Sequence, residues 1–226
     1  MRAVAKTFLA ATMASLIALA GCGSDYYDYC DDCAPPTPYV MILSNPAYDG
    51  DIVRDPGTGS YTIAQGKAES VFVGIDPATG AESRAFLDFS LRDIVGVPFN
   101  AVIESATIDM GIKNIVPRPF GGTIPVSIDL VSFQPPTLVE TDFDRTMQPA
   151  LATTTIAPPI SQADFDNHIV IDVTSLLIEA QRLGLANFQI RILRDSGPVS
   201  SGLIEINDPK GTDRMGLAPL LQVTYF

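Results

Sequence analysis

VIESATIDMGIKN, residues 102–114, alternates with a period of two. Ala106, Ile108, Met110 and Ile112 fall on one side of an extended chain, and Thr107, Asp109 and Gly111 fall on the other. Successive side chains of a strand point to opposite faces, so the pattern predicts a strand with one buried and one wet face. A helix would repeat its apolar positions every three or four residues. IPVSIDLVSF (124–133) repeats the alternation through Ile124, Val126, Ile128 and Leu130. RAFLDFSL (84–91), HIVIDV (168–173), NFQIRILR (187–194), GLIEIN (202–207) and LLQVTYF (220–226) are further short runs rich in β-favouring residues, most of them separated by Gly, Pro, Asn or Asp. Short alternating strands at this spacing predict a mainly β chain folded as an antiparallel sandwich. TSLLIEAQRLG (174–184) departs from the pattern: Leu176, Leu177, Ala180 and Leu183 have helical spacing. That predicts one short helix near 174–183, capped by Thr174 or Ser175 and ended by a left-handed Gly184.

The N-terminal residues read differently. Arg2 and Lys6 precede an apolar run from Phe8 to Ala20, which is shorter than the roughly 20 residues a membrane-spanning helix needs. A positive start followed by such a run predicts a secretory signal over residues 1–21. Leu19-Ala20-Gly21-Cys22 resembles the bacterial lipobox. That resemblance implies cleavage before Cys22, a diacylglycerol on its sulfur and an acylated amino group. Gly23, where an aspartate would retain the protein at the inner membrane, implies the outer membrane. Two or three acyl chains make a stable anchor.

Residues 22–38 then form a spacer rich in Asp, Tyr and Pro, and residues 39–226 are enough for a single β domain with a sizeable core. Cys30 and Cys33, the remaining cysteines, predict a small-loop disulfide in an oxidising compartment, with a free or metal-binding pair as the alternative. Their aspartate neighbours raise thiol pKa values, which argues against redox catalysis.

Fourteen basic against 26 acidic residues give a formal net charge of −12. Such a chain repels nucleic acid, whose binding depends on basic side chains. The inventory for catalysis is thin. His168 is the only histidine; Asp166 and Asp172 are its acidic neighbours in sequence, and Asp172 lies roughly 13 Å away along a strand. Glu69, Glu104, Glu140 and Glu205 could supply a glycosidase pair, but no spacing selects two of them. Asp49, Asp51 and Asp55 in NPAYDGDIVRDPGTG are candidate calcium ligands, because carboxylates and loop carbonyls suit a hard ion; Asp-Gly and Asp-Pro-Gly are equally ordinary turn residues. NDPKGTD (207–213) raises the same question. In the long stretch 134–167, ALATTTIAPP reads as an edge strand protected by its prolines.

SRAFLDFSL, AVIESATIDMGI, IDVTSLLIEAQRLGLANFQIRI and LAPLLQVTYF, in that order, resemble the DNRLRE (disaggregatase-related) domains of secreted and surface proteins, some of which are carbohydrate-binding modules. The resemblance covers about residues 50–226 and implies a jelly-roll-like β-sandwich. Where members often carry tryptophan this chain has Ala180 or Gln181 and Met147, and it has no tryptophan at all. Sugar contact would then fall to Tyr48, Tyr61, Phe120 or Phe143, and contact with an acidic polysaccharide to Lys113, Arg118, Arg191 or Arg194. The expectation is a lipid-anchored, non-catalytic envelope protein that binds polysaccharide or another envelope component. A structural subunit of an envelope assembly and a polysaccharide-degrading enzyme are the alternatives.

Overall fold

The computed structural model describes residues 38–67, 69–92, 96–133, 137–195 and 201–226. The expected signal over residues 1–21, Cys22, Cys30 and Cys33 lie outside the described residues. Strands run in the order β1 (Tyr39–Leu43), β2 (Gly50–Arg54), β3 (Tyr61–Gln65), β4 (Ser70–Ile75), β5 (Glu82–Ser90), β6 (Ile103–Val116), β7 (Thr123–Ile124) and β8 (Val126–Val131). They continue with β9 (Ala152–Thr155), β10 (Ile160–Ser161), β11 (Asn167–Asp172), helix α1 (Thr174–Arg182), β12 (Asn187–Arg194), β13 (Leu203–Asn207), helix α2 (Arg214–Leu217) and β14 (Leu220–Tyr225).

Among the described residues, twelve of these strands form one antiparallel sheet ordered β1-β14-β6-β13-β4-β5-β12-β8-β9, with β11 on the other side of β6 and β2–β3 branching from β5. The sheet curls so that its halves face each other across a shared core. Ala106, Ile108, Met110 and Ile112 of β6 meet Ala85, Leu87 and Phe89 of β5, Ile128 and Leu130 of β8, and Phe188, Ile190 and Ile192 of β12 in one buried cluster. The predicted alternation is therefore what fills the interior. The corner lies at the β4–β5 hairpin, which pairs only at Gly74↔Ser83 and Ile75↔Glu82 before β4 leaves to pair with β13 and β5 with β12. Gly74 makes the corner sterically feasible: its φ is +118°, and a Cβ there would sit 2.2 Å from the Gly202 carbonyl oxygen.

Helix α1 buries Leu176, Leu177 and Ala180 against this core, and Gly184 takes a φ of +65° at its end. The start differs from expectation. Neither Thr174 nor Ser175 caps the helix; instead Asp172 accepts from the Thr174 amide (2.8 Å) and hydroxyl (2.6 Å). Thr174 Oγ1 in turn accepts from the Ala106 amide at 2.9 Å, and the Val173 amide donates to the Ala106 carbonyl. The Asp-Val-Thr sequence thus pins the strand-to-helix junction onto β6. Leu183, expected on the apolar face, is 39% exposed because it follows the last helical turn. Ala152–Thr155 is an edge strand on β8, as its prolines suggested.

The expectation of one wet face per strand fails in the second half of the sheet. Every residue of β8 is buried, as are Phe188 to Leu193 of β12. Phe133, Leu138 and Phe143 pack with Phe86, Val131 and Ile52 on the outer side of this half. Leu138 and Phe143, between β8 and β9, cover that face, so polar residues that alternation sends outward end up sealed. Arg191 is the clearest case: it is fully buried, opposite Asp129 in the register, with Nη2 2.7 Å from Asp129 Oδ2 and Nη1 donating to the Asp142 carbonyl at 2.7 Å. Arg145 and Thr153 also donate to Asp129. Burial pushes the Asp129 carboxyl up, but the hydrogen bonds from Arg145, Arg191 and Thr153 outweigh it and hold the group below the usual range. Arg191 is therefore an internal counter-ion and has no surface to offer a polysaccharide.

Candidate functional site

The outer face of the first half is open. β6 sends Thr107, Asp109 and Lys113 outward between its core residues. β11 pairs along it with Val170 opposite Asp109 and His168 opposite Gly111. His168 Nδ1 and Asp109 Oδ1 lie 2.7 Å apart, a hydrogen bond that becomes an ion pair when the imidazole is protonated. On the other side β13 brings Glu205, which sits 2.8 Å from Lys113 Nζ and accepts from Ser70 Oγ at 2.8 Å. Lys113 also donates to Ser70 at 3.0 Å. Gly111 forms the floor between these groups: a Cβ there would meet Asn207 Nδ2 at 3.1 Å and His168 Nε2 at 3.4 Å. Its missing side chain lets both polar groups close over the backbone.

This face offers imidazole, amide, hydroxyl and carboxylate groups on a rigid sheet, a set suited to hydrogen-bonding the hydroxyls of a sugar chain. Lys113 is paired with Glu205, and Asp109 adds a negative charge that only a protonated His168 would offset, so the face favours neutral ligands over polyanions. Sequence reasoning sought the acid next to His168 at Asp166 or Asp172. Its partner is Asp109, on a neighbouring strand 59 residues away. Both residues lie on the outward side of their own alternation, but only the β6–β11 register brings them together.

The three candidate calcium ligands do not converge. Asp49 Oδ1 accepts from the Asp88 amide at 2.8 Å. Asp51 sits opposite Ala85 on the core-facing side of β2 and accepts from the Phe72 amide. Asp55 is exposed and accepts from the Gly57 and Thr58 amides, an ordinary turn. Among the described residues no group of three or more His, Cys, Asp or Glu side chains is placed to hold a metal. The shared site expected of Asp49, Asp51 and Asp55 is thus replaced by three separate backbone contacts.

The two acidic loops nevertheless meet. Asp49 from the first and Asp208 from NDPKGTD are each 2% exposed and lie next to one another. Burial and the Asp208 carboxyl push Asp49 well above the usual carboxylate range; burial likewise raises Asp208, partly offset by Arg214 and Lys210. Arg214 supplies the cation here, donating to the Pro209 carbonyl at 2.9 Å and to the Ser44 carbonyl, with Asp208 at 3.5 Å. Asp51 is pushed by burial to about 7. Perturbed carboxyls often mark active sites; these three are sealed from solvent.

The remaining candidates scatter. Phe120 and Phe143 are buried in the two apolar clusters, and half-buried Tyr61 packs edge-on against Phe143 at 5.3 Å. Tyr48 lies in the turn between β1 and β2, its carbonyl accepting from Gln65 at 2.8 Å. Arg118 is exposed and stacks on the Phe165 ring at 3.7 Å, while Arg194 is half-buried at the end of β12. Glu69 accepts from the Lys210 amide, and Glu104 and Glu140 are exposed on separate elements. Of the proposed ligand contacts only Lys113 stands on the open sheet face. No protein-family model matches the chain, and no curated protein matches it.

Proposed function

We propose that this chain is a lipid-anchored protein of the cell envelope, favouring the outer membrane, whose β-sandwich is a non-catalytic module that binds a neutral polysaccharide on the open face of β6, β11 and β13. The observation that carries this reading is the asymmetry of the two outer faces. One is sealed by the chain between β8 and β9, and the other leaves His168, Asp109, Lys113, Glu205 and Asn207 together over a glycine floor. The lipobox-like Leu19-Ala20-Gly21-Cys22 supports the anchor, and the ordered DNRLRE-like segments support a carbohydrate-binding module. The carboxylates of the open face, Asp109 and Glu205, are each held by a partner, His168 and Lys113, which supports a module without turnover.

The test is binding of residues 37–226 to a panel of neutral and acidic polysaccharides, alongside K113A and H168A. The reading predicts saturable binding to a neutral glycan that weakens about tenfold in each variant, consistent with about 1.4 kcal/mol for one lost hydrogen-bonding group. Co-purification of an envelope protein without glycan affinity would favour the structural-subunit alternative. Release of reducing ends would favour an enzyme.

A further inference from the structure

The chain enters the domain at Pro38, whose carbonyl accepts from the Tyr225 amide at 3.1 Å. Tyr39, the first residue of β1, pairs with Thr224. Beside it the Val102 and Phe226 backbones bond reciprocally at 2.8 and 3.1 Å, and β6 begins one residue later. The loop leading to Val102 carries Phe99 and is held to α1 by Gln181, which donates to the carbonyls of Phe99 (3.1 Å) and Ala101 (2.9 Å). Backbone pairing therefore gathers four large apolar residues at the end where the chain enters. All are exposed: Tyr39 by 69%, Phe99 by 77%, Val102 by 56% and Phe226 by 68%. An open cleft of about 460 Å³ continues from Phe99 and Ile103 along Leu177 and Leu185 of the helix side. A scatter of single apolar residues is normal on a surface, but a group with a common address calls for a partner.

We infer that this end is a membrane-seating surface: Tyr39, Phe99, Val102 and Phe226 rest in the interfacial layer of the bilayer that holds the protein's own lipid anchor. The inference rests on the lipid-anchored reading. The partner follows from where the chain enters. The residues between Cys22 and Pro38 reach at most about 55 Å when extended, so a bilayer is always within range of the patch. A short tether gives an effective concentration on the order of millimolar, enough for a weak apolar contact to be occupied most of the time. Aromatic rings are suited to that layer because they combine an apolar body with a polarisable face or a hydroxyl.

The absence of tryptophan makes the test direct. The full-length lipoprotein carrying F99W or F226W is placed in zwitterionic phosphatidylcholine vesicles with brominated acyl chains, with M147W (Met147 is 63% exposed in the segment between β8 and β9) as reference. The lipid on Cys22 is verified by mass. The expected result is quenching at least twofold stronger in F99W and F226W than in M147W, relieved when V102E is added while the lipid mass is retained. Equal quenching in all three reporters, with Cys22 lipidated, overturns the seat and leaves the anchor intact. An emission shift that depends on protein concentration and not on lipid assigns the patch to a second copy and also overturns it. A chain without lipid on Cys22 overturns the anchored reading and the seat with it.

Discussion

The two outer faces of the sheet carry polar pairs of nearly the same length in opposite settings. Arg191 and Asp129 lie 2.7 Å apart with both side chains fully buried. Lys113 and Glu205 lie 2.8 Å apart with the lysine 48% exposed, and His168 and Asp109 lie 2.7 Å apart with the histidine 46% exposed. Distance alone does not say what such a pair does. A sealed pair must satisfy itself, so breaking it strands buried polar groups out of reach of water. An open pair is solvated on both sides, contributes little to stability and remains available to a ligand. The first face is a structural device, and the second is the surface proposed here for recognition.

The largest effect that could break this comparison is R191A. Removing the guanidinium leaves Asp129 to Arg145 and Thr153, and the Asp142 carbonyl without its donor. The expected loss is about 3–5 kcal/mol in urea unfolding, against less than about 1 kcal/mol for K113A. Equal losses would erase the distinction between the faces. R191M combined with D129L should recover part of the deficit, because apolar residues of similar volume often replace a buried pair without cost, while Arg145 and Thr153 lose their acceptor and the Asp142 carbonyl its donor.

F143A sharpens the comparison from the side of the cover. Phe143 is 3% exposed, lies 4.0 Å below the Arg84 guanidinium and meets Tyr61 edge-on. Its removal should cost about 3–5 kcal/mol and speed proteolysis within residues 137–149, with no change at the open face. A variant that unfolds no more easily than wild type would show that the chain between β8 and β9 is not what seals this side.

Asp51 gives a pH-dependent prediction of a few kcal/mol. Its folded pKa is about 7, against an ordinary value of 3.8. A raised carboxyl pKa means the fold holds the proton more tightly than the unfolded chain does. That contribution is present in full below about pH 4 and is lost as pH rises through 7, at up to about 1.4 kcal/mol per unit. The raised Asp49 and Asp208 act in the same direction. Thermal unfolding should therefore occur at a lower temperature at pH 8 than at pH 5, and D51N should flatten the profile and unfold at a higher temperature than wild type at pH 8. A D51N protein less stable than wild type at pH 8 would contradict the assignment.

The smallest stability effect belongs to the floor of the open face. In G111A the new methyl meets the ends of two side chains, Asn207 and His168, which can move aside. Stability should fall by less than about 1 kcal/mol, while glycan affinity falls more than tenfold as the two groups are displaced. Parallel loss of both quantities would make Gly111 a packing residue only.

Much of this was legible in the sequence. The alternation of Ala106, Ile108, Met110 and Ile112 named the inward side of β6, and the Leu176–Leu177–Ala180 spacing named the buried side of α1. Alternation states which residues share a side and is silent on what covers it. Arg191 therefore read as a surface cation, although the chain around Asp142 folds over it. The sheet-face site was hidden for a related reason. His168 and Asp109 come together through a register between strands far apart in the chain, and nothing local in either segment encodes that register. Likewise Asp49 and Asp208 looked like two separate turn motifs until the fold placed their carboxyls side by side.

The most direct test of the central claim is the affinity of residues 37–226 for a neutral polysaccharide, measured for wild type, H168A and R191M/D129L. The account predicts that the open-face variant loses about tenfold in affinity with its stability intact, while the sealed-face double variant binds as wild type does. Binding that survives H168A but fails in the folded double variant would move the site to the other face and contradict the account.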